Sequence, residues 1–434
     1  MSAARVLVLG AGMAGLGAAR LLHDKGVQVT VIEARDRIGG RTHTSHLWPD
    51  LPVDLGASWI HGVAGNPLTT LADKIGAART VSPYDRWATF DATGRLLDVS
   101  ALETRTFALM DKARALVDDH DSDTSLKAAI EGAPAWAALA PEDRRIMRMI
   151  LNTRIEHDYS GDWSRLSAWC FDDDAEFVGG DVVLNKGFGP LVAHLSGGLD
   201  IRLGETVRAV LPVSGGVRVT TTTGAHEADH VIVTLPLGVL KSGDIRFGQP
   251  LAPARQRAIK RLEMGLLNKC WLRFDRVFWP PEPDMINFVG PKAGLWAEWM
   301  NGFPSTGQPL IVGFNGGNMA DTVEALDDRA TTASAMEALR AMFGTAIPDP
   351  VAAQISRWRQ DPFAHGAYSI IPVGASGKDR GALAGSDWQG RLNFAGEACA
   401  QDFPATAHGA LITGRRAAKD VIQAASLRGR CGSS

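Results

Sequence analysis

The order of residues in the first forty positions constrains this chain most. An apolar run at Val6–Leu9 leads into G-x-G-x-x-G at positions 10–15, and Gly26 then separates a helical stretch from a second β-rich run. Glycines at these spacings permit a tight turn, a close approach of backbone to a pyrophosphate, and tight helix packing. Glu33, 21 residues after Gly12, can accept hydrogen bonds from both ribose hydroxyls of an adenosine. The segment predicts a βαβ unit that binds a dinucleotide with its phosphates at a helix N-terminus.

Residues 39–41, Gly-Gly-Arg, distinguish a flavin from a nicotinamide dinucleotide. Two glycines let the backbone pass close to the diphosphate, and the guanidinium of Arg41 can neutralise the diphosphate in forked geometry. FAD is therefore the preferred cofactor. With these residues the sequence resembles the flavin-containing amine oxidases, which include monoamine oxidases, polyamine oxidases and the flavin-dependent lysine-specific histone demethylases. The resemblance covers nearly the whole chain, and its motifs are most similar to those of the last two groups.

Length and composition favour a soluble globular protein of two domains. The chain has 434 residues, a formal net charge of −3 and a pI near 6.4, which argues against nucleic acid as the main partner. No run of about 18 apolar residues occurs, so we expect no membrane span. Cysteine spacing without a C-x-x-C pair favours a reducing, cytoplasmic compartment and no metal site; the cysteines are Cys170, Cys270, Cys399 and Cys431.

The resemblance implies an α/β fold, in which a Rossmann-like FAD-binding domain is interleaved with an α+β substrate-binding domain. This is the architecture of the amine oxidases and of p-hydroxybenzoate hydroxylase. We assign the FAD-binding domain to 1–79, 186–255 and 356–434, and the substrate-binding domain to 80–185 and 256–355. The sequence does not predict the oligomeric state.

Hydrophobic periodicity predicts the elements of both domains. A largely helical insertion is expected from about 80 to 180, where apolar residues recur at helical spacing. Three β-rich runs with glycine-containing turns between them predict a three-stranded meander at 206–211, 217–222 and 231–235. Further predicted elements are strands at 267–274 and 295–300 and helices at 327–343 and 407–424.

The C-terminal segment from Phe394 to Ala410 resembles the second cofactor motif of the family. Glu397 follows a strand end and can accept hydrogen bonds from hydroxyls of the ribityl chain, and the positive end of the helix near Ala407 suits an anionic flavin edge. In isolation such a segment is ordinary scaffold. The two motifs and the loop after Val53 predict these cofactor-binding residues: Gly10, Gly12, Met13, Ala14, Gly15, Glu33, Ala34, Arg35, Gly39, Gly40, Arg41, Gly56, Ala57, Ser58, Trp59, Val207, Trp358, Gly396, Glu397, Thr406 and Ala407.

Lys269 and Tyr368 are the first two predicted catalytic residues. Lys269 stands in an apolar strand before an aromatic run, which is similar to the family segment whose lysine holds a water near flavin N5. Tyr368 matches the aromatic residue over the flavin face, and Trp358 would pack beside the ring system. The alternatives are an edge-strand lysine and core aromatics. Ala367 occupies the position of the cysteine that tethers the flavin in monoamine oxidases, so the FAD is predicted to be non-covalent.

His61 and Thr406 complete the predicted catalytic set. Trp59-Ile-His61-Gly matches the histidine form of this loop in polyamine oxidases, where the imidazole could contact a substrate ammonium or accept a proton. A purely structural histidine is the alternative. Monoamine oxidases place a second tyrosine at the position of Thr406, so the aromatic cage is open on one side here.

These observations predict oxidation of a polyamine or N-acetylpolyamine next to a secondary amine, with O2 reduced to H2O2. The flavin takes a hydride, so the protein needs few acid and base residues. A set of acidic residues could attract a polycation, or simply form a solvated face: Glu156, Asp158, Asp172, Asp173, Asp174 and Glu298. Monoamine, L-amino-acid and methyl-lysine substrates are alternatives, although the extra modules of the demethylases are not found. A flavin-loaded binding module without turnover is the non-enzymatic alternative.

Overall fold

The predicted βαβ unit forms at the start of the chain. In a computed structural model that describes residues 4–82 and 86–431, the strands Arg5–Leu9 and Gln28–Ile32 flank the helix Met13–Asp24. Gly26 has a φ of +73°, a left-handed conformation that suits glycine just after a helix. The described residues do not include 1–3, 83–85 and 432–434, which belong to the predicted domains.

A six-stranded sheet surrounds the first strand. Its strands run in the spatial order Asp200–Arg202, Gln28–Ile32, Arg5–Leu9, His230–Val233, Leu392–Phe394 and Gly385–Asp387. All neighbouring pairs are parallel except the last pair. The core of this sheet is covered on one face by Met13–Asp24 and by the long helix Ala407–Cys431, whose predicted start at Ala407 is confirmed.

The predicted meander is correct for two of its three strands. Val207–Val213 pairs with Gly216–Thr221, but the third strand is Ala225–Ala228 rather than the run at 231–235. His230–Val233 lies in the six-stranded sheet, where all four residues are buried. A run buried on both faces is typical of a central parallel strand, and the sequence alone does not show which strand it pairs with.

A second large sheet has seven strands. Their spatial order is Ala352–Ile355, Leu267–Arg273, Leu310–Gly316, Glu298–Asn301, Met285–Val289, Trp87–Asp91 and Leu96–Leu97. The predicted strand at 267–274 is confirmed, whereas the strand predicted at 295–300 begins only at Glu298. Trp296 has a φ of +50°, which is not compatible with a regular strand.

The helical insertion begins later than predicted. Arg79–Val81, Trp87–Asp91 and Leu96–Leu97 are strands. Helices then follow at Ser100–Asp118, Leu126–Gly132, Pro134–Ala137 and Pro141–Leu151, and the last continues into a π-helical turn at Asn152–Glu156. Trp87–Asp91 contains three residues that favour strands, but a run of five residues is a weaker signal than the helical periodicity that follows it.

The remaining elements are short. Small sheets form from Thr44–Ser45 with Val53–Asp54, from Glu263–Met264 with Ser369–Ile370, and from Trp59–Ile60, Val182–Leu184 and Arg79–Val81; Arg246–Phe247 joins the meander. Further helices are Pro67–Lys74, Gly189–Ser196, Leu237–Ser242, Pro253–Arg261, Phe303–Thr306, Gly317–Glu324, Asp328–Phe343 and Gly377–Leu383, with a 3-10 turn at Glu397–Cys399. The protein is thus mixed α/β with several sheets.

Candidate active site

The first turn of the Met13–Asp24 helix is shaped as a phosphate cradle. Its first residues are buried, and no side chain caps its N-terminus at Gly12. A Cβ on Gly40 would lie 3.2 Å from the Cα of Gly12, and one on Gly15 would lie 1.9 Å from the carbonyl oxygen of Gly10. A buried, uncapped helix N-terminus has unsatisfied N–H groups that suit an anionic ligand, so the residues present fit a dinucleotide.

Glu33 lies at the edge of this cradle. Its carboxylate accepts hydrogen bonds from the backbone N–H of Ala11 at 2.7 Å and of Arg35 at 2.9 Å. The Arg35 guanidinium pairs with Asp361 at 2.7 Å. Ala34 is the residue between Glu33 and Arg35, and Val207 is buried at the start of the strand Val207–Val213. The acid predicted from spacing is therefore directed towards the glycine turn.

Arg41 connects three of the predicted site segments. Its Nη1 donates to the carbonyl oxygen of Ala367 at 2.8 Å and to Glu397 at 2.9 Å. Its own carbonyl accepts the N–H of Ala57 at 3.2 Å, and a Cβ on Gly56 would lie 1.7 Å from that carbonyl oxygen. The N-terminal motif, the loop at 56–58 and the C-terminal motif therefore meet around one guanidinium.

Glu397 belongs to a buried network that sequence reasoning missed in part. Ser369 donates its hydroxyl to Glu397 at 2.6 Å, and Arg380 donates to the Ser369 hydroxyl at 2.6 Å. Burial alone would raise the pKa of Glu397, but Arg41, Ser369 and Arg380 outweigh it and hold that pKa below its usual value. Glu397 is therefore ionised. The sequence signal near Arg380 is only a helix start at Ser376, which reveals nothing about this contact.

Lys269 is buried and points at the loop before Trp59. Only 6% of the residue is exposed, and its Nζ donates to the carbonyl oxygen of Gly56 at 2.6 Å and to the hydroxyl of Ser58 at 2.5 Å. Burial lowers the pKa of Lys269 to about 8, against the opposing charge of Asp54. Burial in turn raises the pKa of Asp54 to about 6. The edge-strand alternative for Lys269 is wrong, because the strand is central and the side chain is enclosed.

Tyr368 and Trp358 pack together close to Lys269. Both belong to one apolar cluster with Ala367, and the indole N–H of Trp358 donates to the carbonyl oxygen of Leu55 at 3.1 Å. The Tyr368 hydroxyl donates to the carbonyl oxygen of His157 at 2.5 Å. Burial raises the pKa of Tyr368, so its phenol stays neutral. The loop at 55–58 therefore contacts both Trp358 and Lys269.

Asp158 lies next to the residue that holds the Tyr368 hydroxyl. It is the only exposed residue between 151 and 163, and no described residue donates a hydrogen bond to its carboxylate. Burial by surrounding protein raises the pKa of Asp158 to about 7, and the negative charge of Glu298 adds to this effect. The residue is thus exposed, while the protein around its carboxyl group favours the neutral form.

Two basic side chains contact the carboxylate of Glu298, whose charge acts on Asp158. It is buried and contacts the Nδ1 of His157 at 2.8 Å and the guanidinium of Arg154 at 3.2 Å. The π-helical turn at Asn152–Glu156 is followed directly by His157, whose carbonyl oxygen accepts the Tyr368 hydroxyl. Of the acidic residues considered from the sequence, Glu156 instead pairs with Arg148 at 2.9 Å.

His61 and Thr406 have different surroundings. The His61 side chain is half-exposed, and its ring stacks beside Trp59 with 6.4 Å between ring centroids; the Trp59 ring lies 5.4 Å from Lys269 Nζ. The Thr406 hydroxyl accepts the N–H of Gly409 at 2.9 Å, so it caps the Ala407–Cys431 helix. Gly396 has a φ of +141° just before Glu397. The structure therefore gives Thr406 a helix-capping contact and places His61 near Lys269.

Comparison with known proteins gives the family. The model for flavin containing amine oxidoreductases matches residues 13–422. Polyamine oxidase 2 of Arabidopsis thaliana is 34% identical over 442 residues, which cover 96% of this chain and 87% of that protein. From the same plant, Protein FLOWERING LOCUS D is 35% identical over 99% of this chain and 56% of its own length, and Lysine-specific histone demethylase 1 homolog 1 is 34% identical over 98% and 52%. This chain thus spans about half the length of the latter two relatives.

The chain belongs to the flavin-containing amine oxidoreductases, as the motifs predicted. It is therefore an enzyme of a family that oxidises amines with a flavin. Within residues 4–82 and 86–431, no helix is both long and apolar enough to cross a membrane.

Proposed function

We propose that this protein uses non-covalent FAD to oxidise a polyamine or N-acetylpolyamine at a carbon next to a secondary amine. The products would be an aldehyde and an amine, formed when the imine is hydrolysed, and O2 would be reduced to H2O2. The division into an FAD-binding domain at 1–79, 186–255 and 356–434 and a substrate-binding domain in the remaining segments is part of the same proposal.

The carboxylate of Asp158, whose charge acts on Tyr368, supports the choice of substrate class. No described residue donates a hydrogen bond to it, whereas Glu298 is already paired with Arg154 and His157. A carboxylate without such a partner suits a substrate that has a second positive charge away from the reacting amine. A benzylamine-like substrate has no such charge, and the position of Thr406 supplies no second ring to enclose it.

The side chains of this site divide into binding and chemical roles. The helix N-terminus at Gly12, Glu33 and Arg41 would hold the FAD diphosphate and ribose, and Ala367 supplies no nucleophile for a covalent bond. The chemistry that the bound flavin supplies is two-electron oxidation of the amine and reduction of O2. Lys269 would hold or move a proton at Nζ, because its lowered pKa keeps both protonation states accessible near neutral pH. Tyr368, a neutral phenol, would orient the amine.

Similarity alone does not choose between the substrates named for the relatives, because the identities are nearly equal. Polyamine oxidase 2 and Lysine-specific histone demethylase 1 homolog 1 are both 34% identical to this chain. The polyamine oxidase is matched over 87% of its length. That coverage and the carboxylate at Asp158 support the polyamine assignment over a methyl-lysine peptide.

A substrate panel tests this proposal. Peroxide release should be measured with spermine, spermidine, N-acetylspermine, benzylamine, leucine and a dimethyl-lysine peptide at equal concentrations. We expect at least one polyamine or acetylpolyamine to be oxidised faster than the other three compounds. Faster oxidation of benzylamine, leucine or the peptide than of every polyamine would reject the substrate class and leave the family unchanged.

A further inference from the structure

Strand pairing places Asp181 opposite His61. Trp59–Ile60 and Val182–Leu184 are antiparallel, and Ile60 is paired with Val182, so the next residue of one strand faces the preceding residue of the other. Asp181 Oδ2 lies 2.8 Å from His61 Nδ1, and its Oδ1 accepts the N–H of Gly62 at 2.8 Å. One carboxylate therefore binds the ring and the backbone of the same turn.

The contact fixes the proton on one ring nitrogen. Burial would raise the pKa of Asp181, but the hydrogen bond and charge of His61 outweigh it, so that pKa lies below its usual value. An ionised carboxylate only accepts hydrogen bonds, and Nδ1 of His61 must therefore carry a hydrogen. In the neutral imidazole, Nε2 is then the proton acceptor.

We propose that Asp181 is a positioning residue that keeps His61 in its Nδ1–H form, so that Nε2 takes a proton from the substrate ammonium. The step moves one proton from R2NH2+ to Nε2 and leaves a neutral amine, whose lone pair is needed before the adjacent carbon is oxidised. The resulting imidazolium is stabilised by Asp181. This inference rests on the proposed function for its substrate, but the state of His61 can be measured without one.

Other titratable groups also lie near His61. Besides Asp181, they include Asp158 and His408, whose pKa values respond to the charge of His61. Burial and the charge of His61 lower the pKa of His408 to about 4, so His408 is neutral in an assay above pH 5.5 or so. Asp158, with a pKa of about 7, becomes negative as the pH rises through that value.

The variant Asp181→Asn tests the proposal. Its Oδ1 can still accept the N–H of Gly62, while its amide N–H group faces Nδ1 and forces the hydrogen to Nε2. In the FAD-loaded protein with 15N-labelled histidine, we expect His61 to carry its hydrogen on Nδ1 in the wild type and on Nε2 in the variant. His61→Gln assigns the signal, and Asp73→Asn, which removes an exposed partner of Arg79, is the control.

Anaerobic mixing with the best polyamine of the panel supplies the second measurement. We expect Asp181→Asn to slow flavin reduction by about a hundred-fold and to change its pH profile, with no further slowing when it is combined with His61→Gln. Should Asp181→Asn not fold, His61→Gln alone must show the same loss. An unchanged hydrogen position would overturn the proposal. So would a double variant in which Asp181→Asn and His61→Gln slow flavin reduction by the product of their separate effects. If no amine reduces the flavin, the proposed function fails, and the 15N measurement still decides the role of Asp181.

Discussion

At the residue scale, Lys269 is distinguished by the predicted site residues that its buried amine contacts. Its Nζ is satisfied by the Gly56 carbonyl and the Ser58 hydroxyl, yet burial lowers its pKa to about 8. Lys241 is a useful contrast: burial lowers its pKa as well, but its Nζ donates to the carbonyl oxygens of Ile259, Lys260 and Leu262, none of which is a predicted site residue. A lysine whose pKa lies near the working pH can exchange a proton during turnover.

We expect Lys269→Met to keep its flavin and to lose about ten-fold or more of its turnover, because the side chain contacts no predicted phosphate-binding residue. Flavin absorbance should be followed separately during anaerobic reduction and during reoxidation by O2. Lys241→Met should lower stability without changing either rate. If Lys269→Met shows wild-type rates in both half-reactions, Lys269 has no role in the chemistry and is only a structural residue of its strand.

Asp158 gives the site its pH dependence. Its carboxyl, with a pKa of about 7, is neutral at lower pH and negative at higher pH, so affinity for a second substrate cation should fall as the solution is acidified through that value. We expect the KM for spermine to rise on acidification in the wild type and to vary much less in Asp158→Asn. Glu298→Gln should move the change to lower pH, because the charge that raises the pKa of Asp158 is removed. A KM for spermine that is the same in Asp158→Asn as in the wild type at pH 8 or so would contradict this role.

At the element scale, two helices pack with almost no space between their backbones. A Cβ on Gly414 would lie 2.0 Å from the carbonyl oxygen of Ala14, and a Cβ on Gly17 would lie 2.5 Å from Leu411 Cδ1. The Ala407–Cys431 and Met13–Asp24 helices thus pack tightly side by side on one face of the parallel sheet. The N-terminal end of the Ala407–Cys431 helix, capped by Thr406, is thereby fixed relative to the glycine cradle.

Gly414→Ala should destabilise the protein by about 1–3 kcal/mol, because the methyl group meets backbone that cannot move independently. Gly132→Ala is the matched control: it also replaces a helical glycine, but its Cβ would meet nothing within 4 Å. Chemical denaturation of both variants measures the difference. Equal stability of the two variants would show that the helices can separate at low cost.

Elements with local signals are the ones that sequence predicts well. The glycine turn at 10–15, the left-handed Gly26 and the helix starting at Ala407 each follow from neighbouring residues. No local feature of a strand indicates which other strand it pairs with. The predicted meander therefore includes 231–235, whereas His230–Val233 pairs with the first strand of the chain.

At the scale of the whole molecule, the site depends on contacts between distant parts of the chain. Asp181 meets His61 across 120 residues, and Arg380 reaches Glu397 through Ser369. Motifs predicted which segments carry the site, because each motif is contiguous. They could not predict Asp181 or Arg380, because only strand pairing and packing bring these side chains into it.

The bound flavin should leave the protein on denaturation, since Ala367 has no side-chain nucleophile to hold it. We expect acid precipitation to give a yellow supernatant whose flavin is FAD, and a colourless pellet. Absorbance and chromatography of both fractions measure the partition. Flavin that stays in the pellet after washing would show a covalent bond elsewhere in the chain.

The most direct test of the account is anaerobic addition of spermine or N-acetylspermine to the FAD-loaded protein while flavin absorbance is recorded. A flavin amine oxidase with the site described above should lose its oxidised flavin absorbance with at least one of these amines, and admission of O2 should restore it with one H2O2 per cycle. Benzylamine and leucine should act more slowly. A flavin that stays oxidised with every polyamine, in a protein that is folded and fully loaded, would contradict the central claim.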